Sequence, residues 1–377
     1  MSALQEVLTP HVTKGPVPGA VGLVARGDRA EVTAVGHADT EATTALARDS
    51  IFRVASLTKP VTAAAVMILV DEGRLALDAP IGRWLPELAE PVVVRDPAGP
   101  VDDVVPAHRP ITVEDLLTSR AGWGYPSDFS LPAVRPVFAL MDPHDPQRLP
   151  EPDTWLAALA RVPLLHQPGE AWLYNTCSDI QGVLISRVTG QSLPDFLAER
   201  IFEPLGMRDT GFSVPAAKLP RFTNCYIPTA DGGAERVDTP DGQWSSPPAF
   251  PSGAGGLVST ADDLWAFARM LLADGAPVLS PASVRRMTTD HLTAKQRAAA
   301  ELFTLGAGWG YGGAVDVERR EPWNVPGRYG WVGGMGTAAH LTPSTGTVEI
   351  LLTQLSLTGP SPLPPIMRDF WAYAAQW

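Results

Sequence analysis

Strand-forming and helix-forming sequence lies at the two ends of this chain and is interrupted by a long irregular middle, which restricts the fold more than any other feature. Leu4, Val7, Leu8, His11 and Val12 recur at helical spacing, so residues 2–14 read as an amphipathic helix ended by Gly15-Pro16. Residues 21–25 and 30–35 flank Gly27-Asp28, the pattern of a β-hairpin. An extended segment at 52–54 then leads into a helix through the apolar run 61–70, stopped by Gly73. Regularity returns at Gly253. Ser259 or Thr260 caps a helix that reaches Leu272, and 281–288 is a short helix. Strand-like segments follow at 308–311, 329–333, 336–341 and 347–354, and a helix over 366–377 closes the chain. This order predicts an α+β fold, with one antiparallel sheet built from both termini and flanked by helices.

Between these ends, from Pro80 to about Pro251, the chain is rich in proline and tryptophan, with helices expected at 112–119, 153–161, 179–189 and 193–202. The loops at 91–110, 124–150 and 224–252 are longer than a compact domain usually holds without a purpose, and read as walls of a pocket or a lid. Trp123, Trp155, Trp172 and Trp244 lie in or near them and suit either an apolar site or core packing. The expected division is a sheet domain from 1–80 and 253–377, with 81–252 as an inserted, mainly helical domain. A length of 377 residues and 45% hydrophobic content fit that organisation.

The net charge of −12 and pI of about 5.0 argue against a nucleic-acid or anionic-membrane partner. Cys177 and Cys225 are the only cysteines, too few for a zinc site, and no CxxC or HxxxH spacing exists, so no metal or organic cofactor is expected. Residues 1–14 lack a basic and an apolar leader region, and the run 61–70 is too short to span a bilayer. A cytoplasmic protein with no membrane contact is the expectation, and its oligomeric state is left open.

Three stretches carry chemistry. Ser56-x-x-Lys59 falls where the extended segment turns into a helix, and positions i and i+3 share a helix face. The unpaired N–H groups of a first turn add positive potential there, and a neutral amine nearby can deprotonate the hydroxyl. Of the four lysines, Lys14, Lys59, Lys218 and Lys295, only Lys59 lies three residues after a serine. A Ser N-cap followed by a solvated lysine has the same spacing. Tyr174, after the turn-forming Pro168-Gly169-Glu170, suits a general base if cations stabilise its phenolate, or a loop anchor if none do. Tyr329-Gly330-Trp331-Val332-Gly333-Gly334-Met335-Gly336 is dense in glycine, which in a strand marks close approach of a ligand or another backbone; an edge N–H there can donate to an oxyanion.

Taken together, these motifs resemble the serine β-lactamase and penicillin-binding-protein superfamily, in its class-C-like branch with the family VIII carboxylesterases. Ser56-Leu57-Thr58-Lys59 resembles the nucleophile motif, and Leu75-Ala76-Leu77-Asp78-Ala79-Pro80-Ile81 the segment that follows it. Residues 111–122 are similar to the family's ITVRDLLTHTSG stretch, residues 255–263 are also typical, and Trp331-Val332-Gly333-Gly334 stands where β-lactamases carry Lys-Thr-Gly and the esterases often carry Trp-Gly-Gly. Two departures bear on function. Thr176 occupies the Asn position of Tyr-x-Asn, with Asn175 one place early, and Trp331 replaces the lysine that helps hold a lactam carboxylate.

The resemblance implies a serine hydrolase acting on esters through an acyl-enzyme on Ser56. Lys59 and Tyr174 are its proton-transfer pair, with Tyr174 preferred as base, and the Ser56 and Gly334 N–H groups form an oxyanion hole. Substrate contacts are expected from Trp331, Gly333, Thr176, Asn175 and Trp123. The substrate is a small-molecule ester or amide. The alternatives on the same fold are a β-lactamase or D-Ala-D-Ala peptidase, an amide hydrolase, an acyltransferase, and a non-catalytic ligand-binding relative. No GxSxG elbow is present, so an α/β-hydrolase triad is not expected.

Overall fold

The structure, a computed structural model, describes residues 2–41, 44–140 and 147–377; residues 141–146 of the expected 124–150 loop lie outside the described residues. Thirteen strands are described, in chain order β1 (Gly19–Arg26), β2 (Arg29–Gly36), β3 (Phe52–Arg53), β4 (Val92–Val94), β5 (Val104–Pro106), β6 (Cys225–Pro228), β7 (Ala234–Asp238), β8 (Val258–Ser259), β9 (Gly308–Trp309), β10 (Ala314–Val315), β11 (Tyr329–Gly333), β12 (Thr337–Thr342) and β13 (Thr347–Thr353).

Seven of them form an antiparallel sheet in the order β2-β1-β13-β12-β11-β10-β9. The β1–β2 hairpin turns at Gly27, whose φ of +56° a glycine adopts without cost. Strand β1 then pairs with β13, with Val21 opposite Leu352 and Leu23 opposite Ile350, so the two chain ends meet in the middle of the sheet. This is the α+β architecture that the order of elements predicts.

Strand β1 is buried from Gly19 to Ala25 because both faces of the sheet are covered. On one face Ala20 and Val24 pack with Leu4 and Leu8 of the N-terminal helix Ala3–Thr13 and with Ile366, Phe370 and Trp371 of the C-terminal helix Pro365–Ala374. Gly22 lets that helix approach, since a Cβ there would lie 2.9 Å from Leu8. The other face carries Val21, Leu23, Ile350 and Leu352 and is covered by the helix Ala261–Leu272, N-capped by Thr260.

The helix Thr58–Asp71 is buried over its first twelve residues, Thr58 to Leu69, against the helices Thr176–Thr189 and Pro281–Met287. From Ala63 to Leu69 its sequence is apolar all round, as such a position selects. Two of the three long loops hold short hairpins, β4–β5 within 91–110 and β6–β7 within 224–252. The helix expected from residue 179 begins earlier, at Thr176, directly after Tyr174-Asn175.

Candidate active site

The Ser56 turn is held from several sides before any side chain in it is considered. Phe52 and Arg53 pair with β8, and the Val54 N–H donates to the Leu257 carbonyl at 3.0 Å. The Arg53 guanidinium, 3% exposed, is ion-paired with Asp238 and lies over the rings of Phe222 and Trp244. Thr337 Oγ1 donates to the Val54 carbonyl at 3.1 Å, which docks the turn on the end of β11 and β12. Ala55 takes a φ of +46°, and Asn175, beside Tyr174, takes +82°. Non-glycine residues in that region cost on the order of 1–3 kcal/mol each and persist where their surroundings over-determine them, commonly at functional sites.

These constraints bring together five of the side chains singled out in the sequence. Lys59 Nζ donates to Ser56 Oγ at 3.0 Å, to Asn175 Oδ1 at 2.8 Å and to the Ala254 carbonyl at 2.7 Å. Three acceptors thus surround the amine nitrogen. Tyr174 Oη lies 2.8 Å from Ser56 Oγ, hydroxyl to hydroxyl, and accepts the Trp331 indole N–H at 2.7 Å. Lys59 Nζ also sits 4.5 Å from the centre of the Tyr174 ring. The Tyr174 backbone is fixed by reciprocal N–H···O bonds with Tyr125 at 2.9 and 3.0 Å, and its ring packs against Trp172, Phe303 and Trp331.

Ser56, Tyr125, Tyr174, Phe303, Trp331 and Gly334 line one end of a cleft of about 640 Å³. The N–H groups of Ser56 and Gly334 donate to no backbone carbonyl among the described residues. Gly334 faces open space, with no atom within 4 Å of where a Cβ would stand.

Other expected residues fall elsewhere. Gly333 faces inward; a Cβ there would stand 2.5 Å from the Val54 carbonyl oxygen, so its part is to let β11 approach the Ser56 turn. Thr176 is buried in the first turn of its helix and does not line the cleft. Trp123, expected at the substrate, is core: it is 1% exposed and donates its indole N–H to the Val162 carbonyl. Trp155 and Trp244 are likewise buried away from the cleft, and Trp172 supports Tyr174 from behind. The tryptophans that do line the cleft are Trp323, Trp331 and Trp371, and its walls come from 303–307, 314–324 and 357–363 rather than from the 91–110 and 224–252 loops. Large aromatic side chains in proline-rich sequence serve the core as readily as a pocket, and composition does not separate the two.

The sequence reading missed three participants. The Ala254 carbonyl is one, and a backbone acceptor leaves no residue-type signature. Tyr125 and Phe303 are the others. Burial pushes the Tyr125 phenol well above its ordinary pKa, which keeps it a neutral hydroxyl on the cleft wall.

The model of the beta-lactamase family matches residues 4–367. The chain belongs to that family. Protein Rv1367c of Mycobacterium tuberculosis is 42% identical to this family member, over 90% of this chain and 86% of the relative. Esterase EstB of Burkholderia gladioli is 33% identical over 93% and 90% of the two chains. Among solved structures, that of EstCE1, described as a hydrolase with promiscuous acyltransferase activity, superposes with a TM-score of 0.81 at 26% identity, covering 98% of this chain and 97% of that one. Family membership together with esterase relatives makes the chain a serine hydrolase. No described helix is long and apolar enough to cross a membrane.

Proposed function

We propose that this serine hydrolase cleaves neutral, apolar carboxylic esters through an acyl-enzyme on Ser56. Ser56 Oγ attacks the ester carbonyl carbon while Tyr174, acting as its phenolate, takes the hydroxyl proton. The resulting oxyanion is received by the Ser56 and Gly334 N–H groups, each such donor contributing on the order of 3 kcal/mol to the transition state. The intermediate collapses, the C–O bond to the alcohol breaks, and the departing oxygen takes the proton back from Tyr174. Water then repeats the sequence on the acyl-enzyme and frees Ser56.

One observation carries the choice of Tyr174: its oxygen is within hydrogen-bond reach of Ser56 Oγ and already receives the Trp331 N–H, a donor suited to a phenolate. Lys59 Nζ, with three acceptors around it, serves as the donor that orients Ser56. Trp331 also speaks for the substrate class. With an indole in place of a lysine, the cleft offers no cation at that point to an anionic lactam, and Phe303 and Tyr125 add apolar wall beside it. The promiscuous acyltransferase activity of EstCE1 supports a second outcome, passage of the acyl group to an alcohol instead of water.

Hydrolysis of p-nitrophenyl butyrate and of nitrocefin, side by side with Ser56→Ala, tests this reading. Fast ester turnover, weak nitrocefin cleavage and loss of both in the variant are expected. Dominant nitrocefin cleavage would overturn the ester assignment, and ester turnover surviving in Ser56→Ala would overturn the nucleophile.

A further inference from the structure

Behind Lys59, away from the cleft, lies a carboxyl that the proposed proton transfers do not use. Asp179 stands on the helix Thr176–Thr189, five residues after Tyr174, and is fully buried. Its Oδ1 accepts from Ser252 Oγ at 2.6 Å and from the Ala254 N–H at 3.1 Å. Ser252 Oγ accepts in turn from the Gly255 N–H at 3.1 Å. The turn organised in this way is the one whose Ala254 carbonyl receives Lys59 Nζ.

The turn is gripped from its other side as well. Thr62 Oγ1, on the helix that carries Lys59, donates to the Gly253 carbonyl at 2.8 Å. Gly253 itself passes so close to the Thr176–Thr189 helix that a Cβ would stand 2.4 Å from the Ser178 carbonyl oxygen.

A purely structural acceptor here would need only one oxygen. Asp179 has a second, Oδ2, that is buried with no hydrogen-bond partner among the described residues. An unpartnered carboxylate oxygen is unfavourable in a dry interior unless a charge nearby offsets it. The charge available is Lys59, which has no carboxylate of its own within ion-pair distance among the described residues. Burial holds the Asp179 pKa above its ordinary value, and the Ser252 hydrogen bond, the Lys59 charge and the Ala254 N–H offset only part of that rise. The other titratable groups acting on this region are Tyr125, across from the helix, and Cys177, on it.

We propose that Asp179 is a positioning residue for the proton-transfer pair: it holds the Ser252–Gly255 turn so that the Ala254 carbonyl fixes Lys59 Nζ against Ser56, and through that turn it is the carboxyl coupled to the Lys59–Ser56–Tyr174 cluster. This deepens the Ser56–Lys59–Tyr174 reading and rests on it.

Asp179→Asn keeps the size and one acceptor oxygen and removes the ionisable group. The measurement is p-nitrophenyl butyrate hydrolysis across the pH range, with thermal stability followed alongside. The expected result is a kcat lowered about 10- to 100-fold, KM within about twofold of wild type, and a displaced pH–rate profile. A residue with only a structural role would lower stability and leave the profile of the folded enzyme in place. Wild-type kcat with an unmoved profile overturns the inference.

Ser252→Ala loosens the turn and leaves the carboxyl, so it should lower kcat about 3- to 10-fold without moving the profile. It decides the matter if Asp179→Asn does not fold, because an unchanged kcat in Ser252→Ala also overturns the inference. Ser56→Ala separates the two levels. Activity surviving there sinks the ester-hydrolase mechanism itself, whereas an inactive Ser56→Ala beside an unaffected Asp179→Asn sinks only the role of Asp179.

Discussion

Lys59 and Arg328 are both withdrawn from water, at 1% and 4% exposure, yet their surroundings differ in kind. Arg328, just before β11, donates to Glu349 at 3.0 Å, lies 3.5 Å from Asp316 and stacks over Trp371. Its charge is neutralised where it stands, as Arg53 is by Asp238. Lys59 instead meets a serine oxygen, an amide oxygen and a backbone carbonyl, with Asp179 one residue removed behind the last of these. A buried cation locked to a carboxylate secures a fold; one surrounded by neutral acceptors keeps its field directed at its neighbours, here Ser56 and Tyr174. Burying charge without a direct partner is costly, and such an arrangement is retained where chemistry needs it.

Substituting the two cations is the sharpest way to break this contrast. Lys59→Met should lower kcat by at least about 10³-fold with a smaller loss of folded stability than Arg328→Met, because Asp179, the carboxyl behind it, keeps its hydrogen bonds from Ser252 and the Ala254 N–H. Arg328→Met should do the reverse. It strands Glu349 and Asp316, so denaturant unfolding should show a loss of about 3–5 kcal/mol, while the enzyme that remains folded keeps its kcat. Equal stability losses in the two variants would erase the distinction.

Tyr174→Phe comes next, with a fall of about 10²- to 10⁴-fold in kcat for the ester, the range typical of a lost general base. Full activity in this variant would return the serine proton to Lys59. Trp331→Phe removes one hydrogen bond to the Tyr174 oxygen and should cost about 10-fold. An unchanged kcat would mean the indole N–H does not act on Tyr174.

The smallest effect is expected beside Arg328. Burial, and then the Arg328 charge, hold His340 well below its ordinary pKa of 6.5. Below that value the unfolded chain binds the proton and the folded one resists it, so this residue's contribution to stability is present above 6.5 and declines as pH falls toward the much lower folded value. His340→Gln should therefore show a shallower loss of stability on mild acidification than wild type. An equally steep loss would leave no part for this imidazole.

Much of the frame is legible along the chain. The N-terminal helix, the β1–β2 hairpin, β11, the Thr260 cap and the closing helix lie within a few residues of where periodicity and turn residues place them. The β4–β5 hairpin is harder to see, since its strands are three residues each and stand in proline-rich sequence. They form because Val93 and Val94 find a buried face against Leu164, a partner with no local signature. The tryptophans show the same limit. Which of them line the cleft follows from how the 314–324 and 357–363 segments fold back, not from the residues beside each indole.

What the amino-acid order determines by itself is the local chemistry: a serine and a lysine one helical turn apart at the head of an apolar helix, and a glycine-dense strand able to come close to them. Such geometry spans three or four residues, where backbone dihedrals alone set distances. Only the tertiary structure decides what that lysine and serine face. Asn175 and Ala254 reach Lys59 across 116 and 195 residues of chain, Tyr174 reaches Ser56 across 118, and Trp331 reaches Tyr174 across 157. Those meetings exist because a sheet made from both termini sets β11 against the Ser56 turn, while the Thr176–Thr189 helix and the Ser252–Gly255 turn pack onto the Thr58–Asp71 helix. Long-range packing, which no local pattern encodes, makes the serine and lysine spacing into a site.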